Sequence, residues 1–254
     1  MADNQLSIPV VTTRRLSGAL SPFPSKLMTW EAQGGTGLVF TYGGFGTSST
    51  GTVSLRAFAT TNLVTSMRRL AFVSSSIAGS SAGTRHAINQ FWRGSSVTDP
   101  TGGFLYVARF NIDTTAASMR WFVGFTDSTS VIANVNPSTL LNILGFGIDS
   151  GQTTVRFFNN DGAGAATATD LGASFPATNI SVVYEARILC ATNGTVIRYS
   201  LERLDAPFSF VEGSVSADIP ANTVAMNPQI WVNNGPTAAA VAINIVSQFV
   251  ETRY

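Results

Sequence analysis

Gly79-Ser80-Ser81-Ala82-Gly83 is a G-x-S-x-G string, and the chain's single histidine, His86, follows close behind. A serine nucleophile of this kind needs a tight strand-to-helix turn and a histidine delivered from far along the chain. Here the string sits in the tract SSSIAGSSAG with no helical pattern after it, so it reads as a chance match. Glycoside hydrolysis needs two carboxylates at a set separation. Glu185 beside Arg187, and Glu202 and Asp205 around Arg203, mix both signs on strands, which suits cross-strand pairing better. With one histidine and one cysteine, Cys190, a zinc site would need mostly carboxylates. Gly46 to Thr52 imitates a phosphate loop but has Thr52 where the lysine must stand, and it reads as a loop between strands. Asn159-Asn160-Asp161-Gly162 resembles half a calcium loop, but Phe157 and Ala168 occupy its first and last ligand positions. The expectation is a non-enzyme with no catalytic residue, no metal site and no cofactor.

What remains is recognition chemistry. A sugar-binding surface combines an exposed aromatic ring with amides and carboxylates that bond hydroxyls. Trp231-Val232-Asn233-Asn234-Gly235, at a predicted strand end, is the best such cluster, and Asn160 with Asp161 is the second. The competing reading puts Trp231 in the core and makes the asparagines turn formers.

Composition narrows the classes. Of 254 residues only 11% are charged, 44% are hydrophobic and 10% aromatic, and mean hydropathy is +0.22. Disordered chains have high charge and few aromatics, so disorder is excluded. Net charge is +1 and Lys26 is the only lysine, which argues against nucleic-acid binding. The total hides a split of +6 over residues 1–98 and −5 over residues 99–254. The N-terminus lacks a basic region followed by an apolar one, so no signal peptide is expected. The longest charge-free stretch, 219–250, contains three prolines and does not read as a membrane span. Synthesis in a cytoplasm follows as an expectation, with Cys190 packed as a small apolar side chain.

The elements that must position any site are strands. Residues 1–33 carry Pro9, Pro22, Pro24 and the doublet Arg14-Arg15 without a sustained period, and read as an extended arm. From residue 34 to 254 the chain alternates in short runs bounded by Gly, Asn, Asp, Ser or Pro. The clearest are 36–42, 52–58, 104–112, 120–125, 143–148, 153–159, 182–190, 196–204, 208–215 and 239–252. In the last, Val241, Ile243, Ile245 and Phe249 face one way, and the other face is too apolar for an open surface. Asn193-Gly194 predicts a type I′ hairpin turn, and only 137–142 looks helical, with Ser138 as its cap. The expected fold is all-β, an antiparallel β-sandwich of jelly-roll or concanavalin-like type with an N-terminal arm.

An ordered set of segments carries a resemblance. It includes Ala59-Thr-Thr-Asn-Leu-Val-Thr-Ser-Met-Arg-Arg-Leu70, Gly102-Gly-Phe-Leu-Tyr-Val-Ala-Arg-Phe110, Arg120-Trp-Phe-Val-Gly124 and Gly145-Phe-Gly-Ile-Asp149. It continues through Asp170-Leu-Gly-Ala-Ser-Phe-Pro176, Tyr199-Ser-Leu-Glu-Arg-Leu204, Ile219-Pro-Ala-Asn-Thr223 and Val250-Glu-Thr252. Over about residues 57–254 this series resembles virion proteins of tailed bacteriophages, found as tail-fibre, head-fibre or decoration domains with a lectin-like sandwich. The resemblance implies a structural, non-enzymatic module, commonly a homotrimer, assembled in the bacterial cytoplasm and resident on the virion. Its partners would be capsid, neck or tail proteins. Residues 1–56 lie outside the resemblance, and it is the basic charge of the N-terminal part that makes Arg14, Arg15, Arg68 and Arg69 the docking candidates. The alternative is a receptor-binding fibre domain for a host surface glycan. Neither nucleic-acid binding nor membrane insertion is expected.

Overall fold

The computed structural model describes residues 25–33, 39–94, 101–130 and 134–253. Two antiparallel sheets pack face to face. The nine-stranded sheet runs in the order β14 (Ser209–Val215), β13 (Ile197–Arg203), β12 (Tyr184–Cys190), β7 (Gly102–Thr114), β16 (Ala242–Arg253), β1 (Ser25–Ala32) and β2 (Val39–Tyr42). In that sheet β5 (Leu70–Val73) pairs with β16 and with β4 (Thr52–Leu55). The seven-stranded sheet runs β11 (Thr167–Asp170), β10 (Arg156–Asn160), β9 (Ile143–Ile148), β8 (Arg120–Thr126), β15 (Asn227–Asn233), β6 (Ser81–His86) and β3 (Thr47–Thr50). Among the described residues the only helical segments are the turn Leu63–Ser66, capped by Asn62, and a 3-10 turn at Pro137–Thr139. None of the described helices is long and apolar enough to cross a membrane.

Alternation builds the core, because successive side chains on a strand point to opposite faces. Phe104, Tyr106, Ala108, Phe110 and Ile112 of β7 meet Trp121, Val123 and Phe125 of β8 between the sheets. Phe110 and Trp121 pack edge to face at 5.5 Å. Cys190 is buried in this core, as expected for a small apolar side chain.

The all-β expectation holds, with local corrections. Residues 25–32, assigned to the arm by sequence, form β1, which pairs with both β16 and β2. Met28, Trp30 and Ala32 alternate inward there. The rest of the expected arm, including Arg14 and Arg15, lies outside the described residues. Gly46 to Thr52 is not simply a loop: Thr47–Thr50 is a strand paired with β6. The string Gly79 to Gly83 also leads into a strand rather than a helix.

In β16 the register shifts between Ile245 and Ser247, leaving Val246 as an extra residue. Before the shift Ile243 and Ile245 face inward, opposite Ile112 and Phe110; after it Gln248 and Val250 do, opposite Ala108 and Tyr106. Phe249 is therefore turned outward, which strict alternation did not foresee. The Asn193-Gly194 turn also differs. Gly194 N bonds Ala191 O at 2.8 Å, so Thr192 and Asn193 are the central residues, and Asn193 alone has positive φ, at 52°. Type I′ needs positive φ at both central residues, so the turn is not of that type. At 137–142 the helical part is one 3-10 turn whose N-cap is Asn136, not Ser138.

Candidate functional site

Four of the five glycan candidates are buried. Trp231 sits on the outer face of the seven-stranded sheet in a second apolar cluster with Phe122, Ile143 and Phe158. Leu140, Ala166 and Ala168 pack over it. The connection between β8 and β9, described over 127–130 and 134–142, is tied down across this face. Asn227 Nδ2 and Gln229 Nε2 donate to Ser128 O at 2.9 and 2.7 Å, and Asn160 Nδ2 donates to Leu140 O at 2.7 Å. Glycines make room beneath: a Cβ on Gly145 would stand 2.6 Å from the Phe122 ring, and one on Gly83 would stand 2.7 Å from the Trp231 Cβ.

The asparagines are braces. Asn233 Nδ2 donates to Ser81 Oγ at 2.8 Å, and its Oδ1 accepts from Gly235 N at 2.7 Å. Asn234 Nδ2 donates to Ile77 O at 2.8 Å and Ala239 O at 2.9 Å. Buried amides used in this way satisfy carbonyls that the strands leave unpaired, so they are not available to a sugar. Only Asp161 is exposed, at a turn where its Oδ1 accepts from Ala163 N.

The docking candidates divide as well. Arg68 is exposed, but Arg69 is buried, and its Nη1 faces the carbonyls of Ala57, Thr65 and Met67 at 3.3–3.4 Å. Arg69 is therefore a loop clamp and is withdrawn as a surface residue.

Among the described residues two surfaces remain open. The first is the outer face of the nine-stranded sheet. Its centre carries Arg109 bonded to Glu185 at 2.6 Å, with Arg187 bridging Glu185 and Glu202. Glu185 and Glu202 stand directly opposite on β12 and β13. That is the one cross-strand carboxylate pair the sequence made conspicuous, and Arg187 between them neutralises it, as cross-strand pairing predicts. Toward β2 the face becomes apolar through Val107, Phe249 and Tyr42, which lie in one row with Thr29. At the two margins Phe40 and Tyr42, and Phe208 and Phe210, are exposed.

The second surface is a cleft of about 260 Å³ at the end of the sandwich where β1 and β7 begin and β16 ends. Lys26, Gln90, Trp92, Thr101, Thr252 and Arg253 line it, with Gly102 at its base. Lys26 Nζ donates to Gln90 Oε1 at 3.2 Å. The Gln90 amide nitrogen in turn contacts His86 Nε2. Sequence reading passed over Trp92, although it closes the run Asn89-Gln90-Phe91 just before the turn residues Arg93-Gly94.

His86 itself is structural. Its ring is buried between Phe45 and Phe91, with centroids at 5.1 and 5.8 Å. Nδ1 lies 2.6 Å from Gly46 O and so carries the proton, leaving Nε2 to accept from Gln90. Burial holds its pKa below the usual histidine value, and the Gly46 carbonyl opposes that while Lys26 and Arg85 reinforce it. As pH falls below about 6.5 the unfolded chain takes a proton that the folded chain resists, so stability should fall. The slope should not exceed about 1.4 kcal/mol per pH unit for one proton. Because the chain has one histidine, a His86→Gln variant followed by urea unfolding between pH 7 and 5 should lose that slope. An unchanged slope would count against this assignment.

No protein-family model matches the chain, and no curated protein sequence does either. Solved structures do match. Peanut lectin, crystallised with a nine-residue peptide, superposes with a TM-score of 0.59 at 10% identity, over 91% of this chain and 98% of that one. A protein of unknown function from Shewanella oneidensis MR-1 gives 0.56 at 15% identity, over 100% and 97%. Basic winged bean lectin, with Tn-antigen, gives 0.55 at 9% identity, over 90% and 98%. At these identities the likeness is one of fold: the chain is a lectin-like, jelly-roll sandwich of concanavalin type.

Proposed function

We propose that this chain is a non-enzymatic structural module of a bacteriophage virion, a fibre or capsid-decoration appendage. It docks on the particle through its N-terminal segment and self-associates through its sandwich, as a homotrimer, beside capsid, neck or tail proteins. The observation that carries this reading is the outer face of the nine-stranded sheet. Phe40 (43% exposed) and Tyr42 (60%) stand in solvent at one margin and Phe210 (56%) and Phe208 (78%) at the other, and apolar side chains left exposed in this way offer contacts to a neighbouring copy. The exposed Arg68, with Arg14 and Arg15, supplies the basic docking residues. Assembly in the bacterial cytoplasm and residence on the virion complete the proposal.

The test is the mass of the protein in solution, by light scattering. The wild type should run as a trimer, and Tyr42→Glu with Phe210→Glu should reduce it to a folded monomer. A wild type that stays monomeric at high concentration, or a double variant of unchanged mass, would defeat self-association through this face. Removing residues 1–24 should abolish incorporation into particles.

A second reading, recognition of a host glycan, is favoured by one observation. Trp92 presents its indole to solvent beside polar and cationic side chains.

A further inference from the structure

The four tryptophans are not equivalent. Trp30, Trp121 and Trp231 are at most 1% exposed, whereas Trp92 is 37% exposed at the mouth of the end cleft. A large ring left in water forgoes the burial that drives folding, and the ring could not retreat without losing a fixed seat. Gly102 has φ +82°, and a Cβ there would stand 2.2 Å from the indole Cδ1 and Nε1. The pyrrole edge of the indole therefore lies directly on the Gly102 backbone. Trp92 O also accepts from Gly103 N at 2.9 Å, which pins the same residue through its backbone. The ring is held before any ligand arrives, and preorganisation of this kind lowers the entropy cost of binding.

Among the described residues the charged groups around the ring share one sign: Lys26 and Arg253 line the cleft, and none of the other described lining residues is acidic. Gln90 steadies Lys26 at the rim through its Oε1. A guanidinium offers a fork that matches a carboxylate. Thr101, half-buried at the rim, adds a hydroxyl. The volume of about 260 Å³ falls just below the range of drug-sized sites, and so suits one or two sugar rings rather than a long groove-bound chain.

We propose that this cleft binds an acidic saccharide. The sugar ring lies against the Trp92 indole, and its carboxylate points to Lys26 and Arg253. This inference rests on the glycan-recognition reading and gives that reading a place and a ligand class.

The probes are trigalacturonate and N-acetylneuraminic acid, with galactose and neutral galactotriose as controls, on the full chain. Because the other three tryptophans are buried, quenching of fluorescence by acrylamide reports mainly Trp92. At least one acidic probe should protect Trp92 from acrylamide, and the neutral sugars should bind at least tenfold more weakly. Raising salt should weaken the acidic probe further. Trp92→Ala and, separately, Arg253→Gln should each reduce affinity at least tenfold, measured by calorimetry on variants that melt like the wild type. Equal affinity for neutral and acidic sugars would overturn the charge assignment. Undiminished acidic-sugar binding in both variants would overturn the site while leaving glycan recognition standing. A glycan array blank for the wild type would overturn both. Binding of a poly-glutamate peptide at this cleft with no saccharide bound would assign it to an acidic protein partner instead and defeat the proposal.

Discussion

A chain lacking residues 1–33 should fail to fold, whereas one lacking residues 1–24 should unfold cooperatively with a midpoint close to that of the full chain. The difference between the two truncations is β1. That strand lies between β16 and β2, with seven residue pairs to the first and four to the second. Met28 and Trp30, at 0% and 1% exposure, bring the largest side chains of this edge of the core. Trp30 packs 6.4 Å from Phe72 of β5. Loss of a buried Met or Trp side chain costs about 2–5 kcal/mol each, and a domain of this kind is stable by only about 5–15 kcal/mol in total. Removing the strand also strands β2 and opens the backbone groups of β16 to water. Far-ultraviolet circular dichroism with urea unfolding checks both truncations. A shorter chain that melts like the wild type would show that β1 is dispensable and that the compact domain starts later.

Trp231→Ala should lower the unfolding free energy by about 3–5 kcal/mol, the range for removing a buried large aromatic side chain. The side chain is wholly buried, and its ring packs against Phe122 with centroids 6.1 Å apart. The hole would open beneath Leu140 and Ala166, so the segment that closes the outer face of the seven-stranded sheet should loosen with it. Trp231→Phe should cost less. Its indole N–H has no acceptor among the described residues, so the smaller ring forfeits packing but no hydrogen bond. Denaturant midpoints give the ordering directly. Were Trp231 a surface ligand-binding residue, alanine would leave stability within about 0.5 kcal/mol and abolish glycan binding instead.

β1 and Trp231 mark how much the sequence shows. β1 was legible: Met28, Trp30 and Ala32 alternate with Leu27, Thr29 and Glu31. The prolines at 22 and 24 masked it by making the whole N-terminal stretch look extended and irregular. β3 and β6 were harder, because Thr47-Ser48-Ser49-Thr50 and Ser81-Ala82-Gly83-Thr84 lack the apolar alternation that announces a strand. Gly83 is there because Trp231 lies across it, a reason found on a strand far away in sequence. The outward turn of Phe249 depends on one inserted residue in β16, which period-two counting assigns to the wrong face from that point on.

What the amino-acid order settled by itself is the class of fold and its local chemistry. Short alternating runs punctuated by turn residues commit the chain to antiparallel strands, since side-chain period and turn conformation are local properties. The pairing of Glu185 with arginines was readable for the same reason, because cross-strand partners share a face at regular spacing. Burial of the second face was not readable. Alternation assigns Trp231 to one side of its sheet and Ile230 to the other, but it does not say what lies over either side. The covering segment between β8 and β9, and the Ile77 carbonyl to which Asn234 is braced, both come from distant stretches of chain. Trp231 and Trp92 have similar sequence surroundings and opposite fates. The tertiary structure alone decided which ring faces water, because solvent exposure is a property of everything else that packs nearby.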